Sequence, residues 1–133
     1  MAGIRAGTAA GGGGLDPRGR IGETGEEYAA GLFRARGGVV IGRNWRCASG
    51  ELDLVVLDAG GRLRFVEVKT RTGVGFGTPA EAVTEDKRRR IRKVAREWLS
   101  AHPGGWREVC FDVVGVDLSD PSRPRLELFE EVF

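Results

Sequence analysis

The chain has 133 residues, 41% hydrophobic and 30% charged, with a net charge of +2; this is the length of one domain with a buried core, and it excludes a two-domain enzyme or a wholly disordered chain. No apolar run approaches the roughly 20 residues that a bilayer span needs, and no apolar leader is evident, so a cytoplasmic protein without a membrane partner is expected. Two distant cysteines, Cys47 and Cys110, and a single histidine, His102, exclude a disulfide scaffold, a zinc site and any mechanism built on a histidine cluster.

Residues 1–20 are glycine-rich, with the run Gly11 to Gly14 and few apolar neighbours, and are expected to form a flexible tail because they bury too little surface to offset their ordering entropy. Residues 21–133 form the single domain. A first helix is expected from the Thr24-Gly25-Glu26-Glu27 capping box, with Tyr28, Ala29, Leu32 and Phe33 repeating along it until Gly37-Gly38. Glu27 closes the box, whereas Glu26 leans toward Ala29, Ala30 and Phe33 on the core side and so needs a partner.

Three strands follow, over Val39 to Trp45, Glu51 to Leu57 and Leu63 to Thr70, separated by turn-forming residues. They predict an antiparallel meander. The glycine-rich segment Gly73 to Gly77 lacks the Lys-Ser/Thr of a phosphate-binding loop and reads as a flap, with a short helical turn after Pro79. A second helix starts near Thr84, with Glu85 and Asp86 in its first turn and Ile91, Val94, Ala95, Trp98 and Leu99 as its apolar stripe. His102-Pro103 ends it, Val109 to Val114 forms a further strand, and Leu126 to Phe129 pairs at an edge. The fold class is α/β, a mixed sheet in the order α-β-β-β-α-β-(β), with the second helix crossing to a strand that returns parallel.

Charge is unevenly spread. Seven basic residues against three acidic ones lie between Thr84 and Glu97, and seven carboxylates against two arginines between Glu108 and Phe133. Side chains alternate along a strand, so Glu51 and Asp53 are expected on one face with Leu52 and Leu54 on the other, and Phe65, Glu67 and Lys69 opposite Val66 and Val68. If Asp58 pairs with Arg62 around a three-residue loop, Asp53 falls opposite Glu67 and Glu51 opposite Lys69. Two facing carboxylates repel unless a cation lies between them, and Mg²⁺ (or Mn²⁺) accepts an Asp, a Glu, a carbonyl and water as ligands. Lys69 on the same face suits orienting a water nucleophile and stabilising charge on a phosphate.

Asp53 followed by Glu67-Val68-Lys69, after a helix bearing Glu26, resembles the Asp…(Asp/Glu)-x-Lys motif of restriction-endonuclease-like nucleases. More specifically, Gly25-Glu26, Arg43-Asn44, Gly50-Glu51-Leu52-Asp53-Leu54, Phe65-Val66-Glu67-Val68-Lys69 and Phe111-Asp112-Val113-Val114 resemble the bacterial YraN-like family, itself similar to archaeal Holliday-junction resolvases. The resemblance implies a restriction-endonuclease-like core and a metal-dependent endonuclease acting on DNA, including branched or recombination intermediates. It assigns Asp53 and Glu67 to the metal, Lys69 to the water nucleophile and Glu26 to an indirect role at the metal, with Glu51 and Lys87 in support. Because resolvases act as symmetric dimers, it also implies a homodimer.

Contact with nucleic acid is expected through Arg43, Lys87, Arg88 and Arg92, with Asn44, Trp45 and Arg46 nearby. Without the resemblance, the same charges read as a solvated sheet face with cross-strand ion pairs, and the basic stripe as a solvated helix face. Trp45 then reads as core and Asp112 as a buried acceptor. The alternative function is a nuclease-fold module that binds nucleic acid or a DNA-processing partner without cutting.

Overall fold

A computed structural model of the chain describes residues 17–73 and 82–133, with side chains of the first helix described from Glu23 onward. The first helix, α1, spans Pro17–Ala35. It starts earlier than the capping box suggests: proline suits the first helical turn because its missing N–H would be unpaired there anyway, and Thr24 lies inside the helix. The glycines at 19 and 22 weaken the sequence signal without stopping the helix. Residues 17–20, expected in a tail, are therefore helical, and residues 1–16 lie outside the described residues. Glu27 is not a capping residue and instead pairs with Arg34 at 3.3 Å and Arg43 at 2.7 Å.

The helix ends as Gly37-Gly38 predicts. Gly37 has φ of 85°, its N–H donates to Arg34 O at 3.0 Å, and the Gly38 N–H reaches back to Phe33 O at 2.8 Å. This is a Schellman cap, which uses the left-handed conformation that glycine adopts without a Cβ clash.

Strands β1 (Val39–Cys47), β2 (Gly50–Leu57) and β3 (Leu63–Arg71) form the antiparallel meander. Helix α2 (Glu85–Ala101), capped by the Thr84 hydroxyl accepting from Lys87 N, crosses to β4 (Val109–Asp117), which lies parallel to β3. The edge strand β5 (Arg125–Phe129) returns antiparallel to β4, completing a five-stranded sheet in sequence order. The predicted order of elements and the parallel crossover both hold. Residues 74–81, with most of the expected flap and the turn after Pro79, lie outside the described residues.

The two helices cover opposite faces of the sheet. Ala29, Ala30 and Phe33 of α1 pack with Leu54, Val56, Val66, Val114 and Val116. On the other face, Ile91, Val94, Ala95 and Trp98 of α2 pack with Leu52, Val55, Leu63, Phe65 and Val113. Helix α2 buries most of the stripe its periodicity marks, with Leu99 only partly buried, whereas in α1 the buried side is Ala29, Ala30 and Phe33, and Tyr28, expected in the stripe, is exposed. No helix among the described residues is long and apolar enough to cross a membrane.

Leu52 and Leu54 therefore lie in different layers, against the expectation that both would share a face. In β3, alternation holds: Phe65 packs under α2, while Val66 and Val68 pack toward α1. In β2, it breaks at Asp53. Directly across in β1, the ladder also skips Asn44, whose φ is 50°; asparagine tolerates this left-handed region better than most residues. Both strands turn over at the same level, so their register survives the irregularity.

Candidate functional site

The β2–β3 hairpin bears out half of the expected register. Asp58 N donates to Arg62 O at 2.9 Å around the three-residue loop, and the ladder runs in the expected register from Leu57↔Leu63 to Leu54↔Val66. There it stops. Asp53 and Glu67 are not ladder partners, and neither are Glu51 and Lys69. Asp53 Oδ2 instead accepts the Val68 N–H at 2.8 Å, so a side chain takes up a backbone donor that strand pairing would otherwise satisfy. The carboxylate of Asp53 is thereby fixed between the two parting strands.

Five predicted residues meet at this point: Glu26, Asp53, Glu67, Lys69 and Lys87. Asp53 and Glu67 share a hydrogen bond, and both are half-buried. Burial, then the charge of Asp53, pushes Glu67 up to about 8 even with Lys69 and Lys87 close by. Asp53 is itself raised, by burial first and by Glu51 among its neighbours. Two carboxyls this close resist ionising together, so the pair as a whole gives up its protons less readily than free carboxyls do. Glu26 arrives from α1: burial and then the Asp53 charge push it up to about 7, opposed by a hydrogen bond from Asn44 and by Arg43. The positive φ of Asn44 is part of how that amide reaches Glu26, a role that sequence reasoning missed. The sequence marked Asn44 only as part of the Arg43-Asn44 stretch of the resemblance and as an asparagine inside a strand, not as a partner of Glu26.

Lys69 stands two residues beyond Glu67 on the α2 side of β3, and Lys87 comes down from the first turn of α2 to touch it. The neighbouring Lys69 ammonium is the largest cause holding Lys87 below its ordinary value. Two ammonium groups pressed together beside two desolvated carboxyls form a site that lacks neither sign of charge. Among the described residues, no three His, Cys, Asp or Glu side chains are grouped to hold a metal by themselves. The donor set nevertheless fits a hard divalent cation that takes two carboxylates, one of them with an oxygen beyond the Val68 bond, and completes its shell with water and substrate oxygens.

The other predicted residues are placed differently. Glu51 faces Arg46 in β1, 3.6 Å away at an exposed position, rather than Lys69; it influences the site through its charge on Asp53 and Glu26. Arg43 is held by Glu27. Arg88 and Arg92 lie over the Phe133 ring at 5.6 and 5.7 Å, and Arg92 also approaches Glu85 at 4.0 Å. Trp45 packs in the α2 layer, edge-on to His102. Asp112 is fully buried and accepts from Arg64 Nη1 at 3.0–3.1 Å and from Glu131 N at 2.9 Å, the structural role expected of it.

Fold and site together define a mixed α/β protein with a carboxylate–lysine cluster where its two central hairpin strands part. Residues 25–116 match the Uncharacterised protein family UPF0102. The chain is 50% identical over 113 residues to a UPF0102 protein of Nocardia farcinica, covering 85% of this chain and 88% of that one. It is 46% identical over 113 residues to the UPF0102 protein of Rhodococcus opacus, covering 85% and 95%, and likewise 46% over 113 residues to that of Frankia alni, covering 85% and 93%. The chain belongs to the UPF0102 family.

Proposed function

We propose that this protein is a metal-dependent endonuclease that hydrolyses phosphodiester bonds in DNA, with branched or recombination intermediates as the substrate class. The observation that carries the reading is the desolvated Asp53–Glu67 pair with Lys69 and Lys87 against it. Two desolvated carboxyls this close are costly without a proton or a cation between them, and a solvated sheet face has no reason to build such a pair. Asp53 and Glu67 would hold Mg²⁺ or Mn²⁺. When bound, the ion supplies Lewis-acid charge to a phosphoryl oxygen and lowers the pKa of water.

The protein's own groups do the rest. The Val68 N–H and the break in the ladder fix the Asp53 carboxylate, so its geometry is set before any ligand arrives. Lys69 orients the attacking water and meets charge that develops on the phosphate. Lys87, beside it, favours an anion at the same point, since two adjacent ammoniums are relieved by a phosphate. Glu26, with its raised affinity for a proton, can hold or release one near neutral pH on the α1 side. The nuclease-like motif order Asp53, Glu67, Lys69 supports the same reading, as does the likeness to resolvases, which carries with it a symmetric pair of copies.

The test is incubation of the purified protein with labelled single-stranded, duplex, flap and four-way-junction DNA, in Mg²⁺ or Mn²⁺ and in EDTA, beside Asp53→Asn and Lys69→Met. Cleavage in metal that both variants lose, by about 100-fold or more for the lysine, is the expected outcome. A wild-type protein inactive on every substrate, with no calorimetric metal binding that Asp53→Asn removes, overturns it in favour of a binding module that does not cut.

A further inference from the structure

On the α2 face of the sheet, a groove of about 310 Å³ opens directly beside Lys69. Its floor and walls come from two rows of side chains in register across three strands. The first row is Lys69, Gly115 and Glu127; the second, two residues further along, is Arg71, Asp117 and Arg125. Neighbouring strands lie about 4.8 Å apart and successive rows on one face about 6.6 Å apart, so the groove is roughly as wide as one extended backbone. Gly115 gives the first row no side chain at its centre, and this is what makes the floor hollow. In the second row, the central Asp117 is occupied: Ser119 N and Oγ donate to its Oδ1 at 2.9 and 2.6 Å, and Arg71 Nε lies 3.9 Å from Oδ2. Arg71 and Arg125 flank this carboxylate, which stays ionised because the Ser119 bonds and then the two guanidiniums hold it below its ordinary value; Asp117 therefore stands in the groove as a second negative charge beside Glu127.

We propose that this groove seats the phosphate adjacent to the attacked one, on the same strand, with Arg71 and Arg125 as its cationic walls. The inference rests on the nuclease reading above and extends it: one strand would run from the Lys69–Lys87 pair along the hollow at Gly115. Arginine suits the position because its fork meets phosphate oxygens through two N–H groups at once. Glu127 opposes a phosphate and gives the proposal a sign of its own, since removing that charge should tighten binding. Arg88 and Arg92, the α2 arginines that the sequence marked for nucleic acid, lie over Phe133, while Lys69 joins the groove on one side to Lys87 in the first turn of α2 on the other.

Binding of a fluorescein-labelled oligonucleotide, single-stranded and in duplex, measured by anisotropy in EDTA across a salt series, tests this without any cleavage. In Arg71→Gln with Arg125→Gln, the slope of log affinity against log salt is expected to fall by about 0.7 for each phosphate no longer neutralised on the single strand and about 0.9 on the duplex. Glu127→Gln is expected to bind more tightly than wild type, a gain that misfolding cannot produce. A slope unchanged in the double variant, with wild type binding normally, overturns the groove and leaves the nuclease reading standing. An equal fall from Arg89→Gln with Arg96→Gln, on the outer side of α2, also overturns it. If the wild-type chain binds neither DNA even at low salt, both readings fall.

Discussion

Glu67 illustrates how a single position can be readable in type and unreadable in state. Its spacing from Lys69 and its strand context are in the sequence, but its protonation depends on burial against Asp53. The consequence for stability has a definite sign. Asp53, Glu26 and Glu67 all have folded values above their ordinary ones, the last two near 7 and 8 from a starting value of 4.5. The folded state therefore binds more protons than the unfolded state across that interval. Their contribution to stability is fully present below the unfolded value and is lost as pH rises through the folded values. Thermal melting of metal-free protein should show the melting temperature falling between about pH 5 and pH 8. Glu67→Gln should flatten that slope, and, if the pair takes Mg²⁺ as proposed, the ion should raise the melting temperature most at the alkaline end, where both carboxyls are ionised. A melting temperature that climbs with pH in metal-free protein would mean that the carboxyls are not desolvated.

Between elements, α1 is set on β3 by an absent side chain. A Cβ on Gly25 would come within 1.9 Å of Thr70 Oγ1 and about 3.0–3.1 Å of the other Thr70 side-chain carbons, so rotating the threonine does not clear it. The helix can therefore sit close enough for Glu26 to reach toward Asp53. Gly31, nearly two turns on, has no neighbouring atom within 4 Å of the place a Cβ would take. Gly25→Ala should destabilise by about 1–3 kcal/mol through overpacking, whereas Gly31→Ala should stabilise by roughly 0.5–1 kcal/mol by helix propensity alone. Urea denaturation of the two variants decides this. Helix α1 begins before its capping signal: Thr24 to Glu27 carries a good local box, but the helix starts at Pro17, a residue suited to a first turn.

Across the whole molecule, the sheet is tied at the end away from the site by Arg64 and Asp112. Arg64 reaches Asp58 in the β2–β3 loop at 2.9 Å and Asp112 in β4 at 3.0 Å, and Asp112 also takes the Glu131 N–H beyond β5. One buried cluster thus joins the hairpin loop, the parallel crossover strand and the final segment. Asp112→Ala should cost about 3–5 kcal/mol, because it leaves a buried guanidinium with a single partner. Replacing both residues by apolar ones of similar size should recover much of that loss in equilibrium unfolding. Equal losses in the single and double variants would place the stabilisation in packing and not in the ion pair.

The strands, α2 with its Thr84 cap, the hairpin loop at Asp58 and the nearness of Asp53, Glu67 and Lys69 to one another were all legible, because period, turn residues and local spacing are short-range properties. The register inside β2–β3 was legible as far as Leu54↔Val66 for the same reason. What no local pattern encodes is where pairing ends. The parting of the strands at Asp53, the reversal that sends Leu52 and Leu54 to opposite layers, and the meeting of Glu26 from one helix with Lys87 from the other depend on two helices pressing on the sheet from both sides. The arginines make the same point in reverse. Helical periodicity alone assigns Arg88 and Arg92 to an open basic face, but the chain's last aromatic ring folds beneath them, since two groups so far apart along the chain meet only once the sheet has brought them together.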